Sequence, residues 1–384
     1  MAPGFGLFRY AVDLIQGLAQ IVSDADFILI GSKPVPAAEL APLLAGQPSV
    51  WRYVQFVPSP RRGGVLRDQV PYARLLRRER VELFHGPYLF APILAPCPTV
   101  ITVHDLIWEI LPEHARAARG LPWRLHRWAA RRRATHLIAV SAATAADIET
   151  RWAVAREKVT VVPHGTNFGS AMAATIREPV SPALRALDAG DRVIATPFNL
   201  EPHKNISALL RAVAELRPAC PRIRVVAFGR AGCTGDREAR FEQELRVHGI
   251  ESLVIRCGML SDADLTWLYA RADVVALPSL SEGFGLPALE AMAVGGRVVA
   301  SNVPAMRELV GDAGVLVETR GTGGPLAAAI GDLLQNPTRR SALALRAKDR
   351  AREFTTARMA RSTWDVYRQA LDARRTASAT TFGA

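Results

Sequence analysis

The sequence lacks several features that would mark other classes of protein. None of the apolar runs in its 384 residues is long enough to span a bilayer, and the N-terminus does not resemble a signal peptide. Its four cysteines, Cys97, Cys220, Cys233 and Cys257, are scattered, with no Cys-x-x-Cys pair and no histidine partners. This pattern argues against a zinc site or a disulfide framework. We therefore expect buried free thiols in a reducing cytoplasm.

The composition is that of an ordinary globular protein with an excess of positive charge. Apolar residues make up 49% and charged residues 22% of the chain, and its length suggests two or three domains. The net charge of +12 is compatible with nucleic acid, an anionic membrane or phosphorylated substrates as partners. No recognisable nucleic-acid module accompanies the charge, so we do not expect nucleic-acid binding.

The strongest chemical signal lies in residues 278–293. The apolar run at 273–277 predicts a buried strand that ends at Pro278. A turn with two glycines follows, and then Pro287 and a run of helix-forming residues, which suits the first turn of a helix. Unpaired N–H groups and the positive end of the helix dipole make such a turn a site for anions, especially phosphate.

Two carboxylates, Glu282 and Glu290, lie on either side of this predicted anion site. A phosphate alone disfavours nearby carboxylates, but hydroxyl groups flanking a phosphate favour them, and a nucleotide sugar has that shape. The alternative is structural: Glu290, expected in the first helical turn, complements the dipole, and Glu282 is a solvated turn residue. The glycines between them favour the functional interpretation.

The segment Glu282-Gly-Phe-Gly-Leu-Pro-Ala-Leu-Glu290 closely resembles the hallmark of retaining glycosyltransferases of the GT-B fold. These belong to the large group 1 (family 4) glycosyltransferases, which include many mannosyltransferases. The resemblance implies a nucleotide-diphosphate sugar as donor, with no metal and no other cofactor. It also implies that Glu282 binds sugar hydroxyls and Glu290 the ribose, while the backbone of Gly283, Phe284, Gly285 and Leu286 faces the donor.

Residues 1–167 predict a first doubly wound domain on the acceptor side. Short apolar strands alternate with helical segments, which indicates βαβ units and a parallel sheet. The turn at Gly4 and Gly6, followed by a helix, is similar to a glycine loop near the start of many family members. Only Met1-Ala2-Pro3 precede it, where the family has a first strand, so we expect that strand to be missing or to lie upstream.

His104 and Asp105 come at the end of the predicted strand 99–103, where ligands bind in parallel sheets. A histidine there can donate to a sugar hydroxyl or a phosphate oxygen, while the adjacent aspartate orients a neighbouring group. A structural histidine is the alternative. The resemblance places this pair against the donor sugar, across the cleft. For His85 and His164 both interpretations stay open.

A second alternating series of strands occupies residues 192–355 and predicts a second doubly wound domain. Residues 168–191 lack periodicity and are expected to be a linker. A terminal helix at 356–373 is expected to return to the first domain, followed by a flexible tail at 374–384. Two such domains imply a cleft, where ligand sites are common.

Lys204, in the segment after the first strand of the second domain, is the candidate for the donor diphosphate. A lysine that opens a helix opposes the dipole unless an anion binds nearby. Lys204 resembles the family lysine that holds the diphosphate. The usual arginine before it is absent, because Phe198-Asn199 stand there, and Arg230 is a candidate replacement. Gly258 and Met259 fall where, in the family, the protein backbone contacts the nucleotide base of the donor.

Two Asp-x-Asp triplets and two basic segments each have more than one interpretation. The triplets Asp24-Ala-Asp26 and Asp262-Ala-Asp264 could suggest a metal motif, but Ser261 to Asp264 forms a capping box, so we assign no metal. The segments 74–80 and 116–133 are basic, and the second interleaves arginine with tryptophan. Such a segment suits an anionic membrane surface or, equally, a solvated helix whose tryptophans pack inward.

The sequence therefore predicts a retaining glycosyltransferase that acts in the cytoplasm or at the inner face of the cell membrane. The acceptor is expected to be a glycan or a lipid-linked sugar, and GDP-mannose is favoured as donor by resemblance alone. The alternatives are a nucleotide-sugar epimerase or phosphorylase-like enzyme, and a catalytically silent sugar-binding or membrane-scaffold protein.

Overall fold

The computed structural model describes residues 6–31, 51–56, 68–88, 92–111, 120–169, 178–230, 235–321 and 323–382. The chain divides into two compact units. Unit 1 comprises Met1–Gly165 and Thr356–Ala384, and unit 2 comprises Thr166–Thr355. Gly4, Cys233 and the first part of the basic segment, 116–119, lie outside the described residues.

Unit 1 alternates strands and helices. Its elements before residue 165 are α1 (Gly6–Ile21), β1 (Phe27–Gly31), β2 (Trp51–Gln55), α2 (Gln69–Arg78), β3 (Phe84–Gly86), β4 (Thr99–Val103), α3 (Ile107–Ile110), α4 (Leu121–Arg132), β5 (His136–Ala139), α5 (Ala142–Trp152) and β6 (Val159–Val161). Strands β1 and β2 pair in parallel, and β3, β4, β5 and β6 form a second parallel sheet in that order. All five residues of β4 are buried.

Unit 2 also alternates strands and helices. Its elements are α6 (Pro182–Arg185), β7 (Arg192–Pro197), α7 (Ile206–Leu216), β8 (Ile223–Phe228), α8 (Asp236–His248), β9 (Val254–Gly258), α9 (Asp262–Arg271), β10 (Val274–Leu277), α10 (Leu286–Ala293), β11 (Val298–Ser301), α11 (Pro304–Val310), β12 (Val315–Val317), α12 (Gly324–Gln335) and α13 (Pro337–Ala351). The strands form one parallel sheet in the order β12-β11-β10-β7-β8-β9.

This strand order determines where a ligand can bind in unit 2. From β7 the chain proceeds outward through β8 and β9, and from β10 it proceeds outward in the other direction through β11 and β12. The switch point therefore lies between the adjacent strands β7 and β10. Ligands of open parallel sheets bind beyond the carboxyl ends of strands at such a point. The segments that leave these ends contain Lys204 and Glu282.

The last helix, α14 (Thr356–Phe382), belongs to unit 1 and packs against α1. Gly17 permits this contact, since a Cβ there would lie 2.8 Å from both the Ala360 Cβ and the Thr356 carbonyl oxygen. The expected flexible tail from residue 374 is wrong as far as Phe382, because the helix continues through that residue.

The expected linker at 168–191 is also wrong in its described parts. Residues 178–191 contain the short helix α6 and pack on unit 2. The carboxylate of Asp264 accepts hydrogen bonds from the backbone N–H groups of Val180 and Ser181, at 2.7 and 3.3 Å. Arg271 donates to the carbonyl oxygen of Asp188. These bonds hold the segment against helix α9.

The structure bears on two features expected from the composition, membrane-spanning helices and the state of the cysteines. No helix in the part of the chain that the structure describes is both long and apolar enough to cross a bilayer. Among the described cysteines, all are free, but only Cys97 is buried, whereas Cys220 and Cys257 are half-buried. The expectation of buried thiols is therefore wrong for those two.

Candidate active site

The segment from β10 to α10 has the predicted strand, turn and helix. Val274–Leu277 is fully buried, and the helix begins at Leu286 with Pro287 in its first turn. Gly285 has a φ of +105°, and a Cβ there would lie 2.5 Å from the Met306 Cε. Both the backbone angle and the close approach require glycine at this position.

The first turn of α10 offers fewer N–H donors than an ordinary helix start. Pro287 has no N–H, and the N–H groups of Ala288 and Leu289 donate to the Gly285 carbonyl at 2.9 and 3.2 Å. The side chain of Phe284 is buried and contacts the ring of Phe354 edge-on, with centroids 5.8 Å apart. An anion at this turn therefore needs a side-chain cation as well as backbone donors.

Lys204 is that cation, and it is paired with Glu282. The Lys204 Nζ lies 2.7 Å from the Glu282 Oε1, and the Ser279 hydroxyl donates to the same oxygen at 2.7 Å. Burial raises the pKa of the Glu282 carboxyl. The charge of Lys204, the hydrogen bonds from Lys204 and Ser279, and nearby His203 lower it, so that the pKa lies below its usual value. Glu282 is therefore ionised at neutral pH.

The sequence predicted that Lys204 opens a helix, and this prediction is wrong. Lys204 ends a short 3₁₀ turn, Pro202–Lys204, and α7 begins only after Asn205, which has a left-handed φ of 51°. The Asn205 amide donates to the carbonyl oxygens of Pro278 and Thr319, both at 3.1 Å. The Leu280 N–H donates to the His203 carbonyl at 2.7 Å. These bonds join the Lys204 segment to the turn that contains Glu282.

Glu290 lies in the second turn of α10, and the predicted place in the first turn is wrong. The residue is 7% exposed. A carboxylate on the buried side of a helix contributes little to the helix dipole, which acts within the first turn. Its position therefore weakens the structural alternative from the sequence and leaves the binding role of Glu290 as a prediction.

The other predicted donor residues surround the carboxyl ends of β7, β8 and β9. The Asn199 side chain accepts from the Glu201 N–H at 2.8 Å and so shapes the turn after β7. The Gly258 carbonyl accepts from the Gly229 N–H at 2.7 Å. Arg230 is exposed and has no ion pair within the described residues, and Met259 is 45% exposed. The structure does not bring Arg230 into contact with the Lys204–Glu282 pair.

His104 and Asp105 follow β4 in unit 1. The His104 Nε2 lies 2.8 Å from the Pro87 carbonyl oxygen. Because a carbonyl only accepts, Nε2 carries the proton and Nδ1 is the acceptor nitrogen of the neutral ring. Burial lowers the pKa of His104 to about 4, although the bond to Pro87 opposes this shift. The Asp105 carboxylate accepts from the Ile107 N–H at 3.1 Å, at the start of helix α3.

A buried polar chain lies beside His104. His85 Nδ1 lies 2.5 Å from the Tyr367 hydroxyl, and His85 Nε2 lies 2.8 Å from the Thr102 hydroxyl. The Thr102 hydroxyl lies 2.9 Å from that of Tyr10, whose ring contacts His104 edge-on at 4.8 Å. These contacts give His85 a structural role, and they connect α14 to the end of β4.

Two further predicted features, Gly6 and the helix cap at Ser261, lie within the described residues. Gly6 is the exposed first residue of α1 instead of part of a preceding turn. The Ser261 hydroxyl accepts from the Asp264 N–H at 3.1 Å, which confirms the predicted helix cap. Among the described residues, no group of three or more His, Cys, Asp or Glu side chains is arranged to hold a metal ion.

Sequence reasoning missed Ser279, Asn205 and Thr319. The signal for Asn205 was present, because asparagine tolerates the left-handed conformation that ends one helical turn and precedes another. Ser279 and Thr319 carried no signal of their own. The Thr319 hydroxyl donates to the Pro278 carbonyl at 3.2 Å and lies 2.6 Å from the Ser301 hydroxyl. These bonds fix the start of the turn.

Comparison with known proteins identifies the family. Residues 182–352 match the family model described as glycosyl transferases group 1, and residues 6–169 match the one described as glycosyltransferase family 4. The D-inositol 3-phosphate glycosyltransferase of Salinispora tropica is 31% identical over 97% of this chain and 82% of its own length. The chain belongs to the group 1 glycosyltransferase family. The resemblance noted in the sequence is thereby confirmed.

Other members of the group 1 family show how far the similarity extends. The MMP alpha-(1->4)-mannosyltransferase of Mycolicibacterium hassiacum is 34% identical over 71% of this chain, and the match spans 66% of that relative's length. Two solved structures share the fold. Sucrose-phosphate synthase from Thermosynechococcus elongatus has a TM-score of 0.77 at 21% identity, covering 96% of this chain and 94% of its own.

The second structure is that of HepE from Anabaena in complex with UDP-glucose. Its TM-score is 0.75 at 20% identity, and the match covers 96% of this chain and 97% of that one. The architecture is therefore GT-B, as the resemblance implied, and the chain is a glycosyltransferase of the group 1 family.

Proposed function

We propose that this glycosyltransferase transfers a hexose from a nucleotide-diphosphate sugar to a glycan or lipid-linked acceptor, with retention of configuration and without a metal. The observation that carries the proposal is the Lys204–Glu282 pair at the switch point of unit 2. Glu282 lies in the turn that leads to buried Glu290, and Lys204 reaches it from the segment after β7. A cation beside one carboxylate, with a second carboxylate further along the same turn and helix, suits a diphosphate flanked by hydroxyl-bearing sugars.

The names of similar proteins support a sugar nucleotide and, more narrowly, mannose. Two relatives are named mannosyltransferases, and a structural neighbour contains UDP-glucose. Several relatives are named D-inositol 3-phosphate glycosyltransferases. We favour GDP-mannose as donor.

In the proposed reaction, the bond between the anomeric carbon and the β-phosphate oxygen breaks, and a bond to the acceptor oxygen forms on the same face of the sugar. The acceptor proton passes to the departing phosphate oxygen. Negative charge grows on the diphosphate, and Lys204 stabilises it together with backbone N–H groups around Gly283, Phe284 and Gly285. Glu282 binds sugar hydroxyls and Glu290 binds the ribose hydroxyls.

Unit 1 contributes His104 in this proposal. Because its pKa is about 4, the ring is neutral at physiological pH and does not act as a cation toward phosphate. Its Nε2–H donates to Pro87. His104 therefore accepts a hydrogen bond from a sugar hydroxyl through Nδ1, instead of donating one as the sequence suggested.

Release of nucleoside diphosphate tests the proposal. GDP-, UDP-, dTDP- and ADP-sugars are incubated with the protein, and the released nucleotide is measured with and without simple acceptors. We expect release from at least one donor, and Lys204→Met to abolish it. Lys348→Met is the matched control, because Lys348 is an exposed lysine on α13 of the same unit. The absence of both binding and release across the panel would refute the transferase function.

The same assay separates the alternatives. An epimerase converts the sugar of the donor without releasing nucleotide, and a phosphorylase requires inorganic phosphate. A silent sugar-binding protein binds a donor but releases nothing. Glu290→Gln is expected to weaken donor binding, whereas Glu238→Gln on the exposed face of α8 is expected to leave it unchanged.

We also propose that unit 1 associates with anionic membranes. On α4, Arg124, Trp128 and Arg132 follow one another at four-residue spacing and are all exposed, with Trp128 at 46%. An exposed tryptophan between arginines suits the interface of an anionic bilayer. Trp128 does not pack inward, which disfavours the solvated-helix alternative for this residue.

Sedimentation with liposomes tests the membrane proposal. The wild type is expected to sediment with vesicles that contain phosphatidylserine at low salt and to be released at high salt. Trp128→Ser and Arg132→Gln are expected to reduce binding. Arg352→Gln, at an exposed arginine of unit 2, is the control. Binding that is absent, or that salt does not affect, would reject this proposal.

A further inference from the structure

Ser279 is a buried hydroxyl in the turn after β10, with 3% of its surface exposed. Its Oγ donates to the Glu282 Oε1 at 2.7 Å. Lys204 Nζ donates to the same oxygen at the same distance. One carboxylate oxygen of Glu282 therefore receives both a charged and a neutral donor, from two different segments of unit 2.

The other oxygen of Glu282 is differently placed. Within the described part of unit 2, no hydrogen bond to Oε2 is present, and 12% of the side chain is exposed. A carboxylate offers about four acceptor positions, shared between its two oxygens. Because Oε1 is bound twice and Oε2 is not, Oε2 is the oxygen that can accept a hydrogen bond from a ligand.

Lys204 retains donors for a second partner. An ammonium group has three N–H donors. One of those on Lys204 binds Oε1, and 26% of the side chain is exposed. Lys204 can therefore keep its contact with Glu282 while it binds a phosphate oxygen. A phosphate bound there by Lys204 lies close to the Glu282 carboxylate, and in a nucleotide sugar the group next to the phosphate is the transferred sugar.

We propose that Ser279 is a positioning residue, which holds Oε1 of Glu282 so that Oε2 faces a hydroxyl of the donor sugar. This inference rests on the proposed function. Without the Ser279 hydroxyl, Lys204 alone orients the Glu282 carboxylate. The carboxylate can then rotate about its contact with Lys204. Ser279 thus acts on recognition of the sugar and leaves the contact between Lys204 and the diphosphate intact.

Calorimetric titration with two ligands tests this role. Each protein is titrated with a nucleotide sugar that the wild type uses and with the matching nucleoside diphosphate. For Ser279→Ala we expect about tenfold weaker binding of the nucleotide sugar, the scale of a lost hydrogen bond to a charged group. Binding of the diphosphate is expected to stay within about twofold. Ser279→Thr keeps the hydroxyl and is expected to restore the sugar-specific affinity.

The pH dependence gives a second measurement. The hydrogen bond from Ser279 helps to lower the pKa of Glu282. Its loss is therefore expected to move the acid limb of nucleotide-sugar binding to higher pH. A role limited to folding of the turn would lower the melting temperature without moving this limb. If threonine is too large for the buried position, Ser279→Cys, which keeps a weak donor, is expected to bind with intermediate affinity.

Three results would overturn the inference. Ser279→Ala that binds both ligands like the wild type would show that the hydroxyl has no role in binding. An equal loss for both ligands would show that Ser279 supports the whole turn. A wild type that binds no nucleotide sugar would overturn the proposed function as well, and the wild-type titration alone identifies that case.

Discussion

Acidification is expected to destabilise unit 1 through three histidines, His85, His104 and His164. Burial lowers the pKa of His85 to about 3, with the charge of His104 as a second cause, and lowers that of His104 to about 4. Burial also places the pKa of His164 well below its usual value. All three rings are therefore neutral in the folded protein near pH 7 and resist protonation.

The sign and size of the effect follow from these values. In the unfolded chain a histidine binds its proton near pH 6.5, whereas in folded unit 1 it does so only near pH 4 or below. The unfolded state binds more protons between these limits, so stability is complete above pH 6.5 and is lost as the pH falls. At pH values well below 6.5 but above the folded pKa, each histidine removes about 1.4 kcal/mol per pH unit, and the three together about 4 kcal/mol per pH unit.

Tryptophan fluorescence can follow unit 1 separately. Six of the seven tryptophans lie in unit 1, and only Trp267 lies in unit 2. Urea unfolding at about pH 7.5 and about pH 5.5 gives the slope of the free energy of unfolding. For His85→Gln we expect the difference in the free energy of unfolding between these two pH values to shrink by about 1.4 kcal/mol. His248→Gln, on α8 of unit 2, is the control.

Two results would refute this reasoning. A free energy of unfolding that is independent of pH across this range would show that the histidines are not buried as neutral rings. An unchanged slope in His85→Gln, with a changed slope in His248→Gln, would show that the proton-linked group lies in unit 2.

Three further predictions concern the turn and the ion pair. Lys204→Met is expected to cost about 3 kcal/mol, because it leaves Glu282 as a poorly hydrated carboxylate. Adding Glu282→Gln should recover most of that loss in urea unfolding, and additive losses would contradict the pairing. Glu282→Gln alone is expected to weaken the binding of the nucleotide sugar. It is expected to tighten the binding of the nucleoside diphosphate, because Lys204 loses its counter-charge. Weaker binding of both ligands in calorimetry would argue against this prediction. Gly285→Ala is expected to lower the free energy of unfolding by about 2 kcal/mol through its positive φ and the contact with Met306. An unchanged melting temperature would contradict this last prediction.

Much of unit 2 could be predicted from the sequence, because its central strands β10 and β11 are fully buried and appear as largely apolar runs. Strand β2 was missed because its residues, Trp51–Gln55, alternate partly buried and exposed positions and include arginine and glutamine. The end of α14 was missed because residues 374–382 have no apolar stripe. Helix-forming alanine and arginine at the end of a chain resemble a flexible tail.

The candidate site was predictable in composition but not in its contacts. Glu282 and Glu290 are close in sequence, so their spacing could be interpreted directly. Lys204 and Glu282 are 78 residues apart. Their contact depends on the adjacency of β7 and β10, which no local pattern contains. The same holds for Ser279, whose role appears only once Lys204 and Glu282 are seen to share one oxygen with it.

Titration of a nucleotide sugar against the wild type, Lys204→Met and Glu290→Gln is the most direct test of the donor site. Both variants keep the apolar stem of the side chain and remove its charge. We predict that the wild type binds at least one of the GDP-, UDP-, dTDP- and ADP-sugars, and that each variant binds it at least about tenfold more weakly. Wild-type affinity in both variants would contradict the assignment of the donor to this turn.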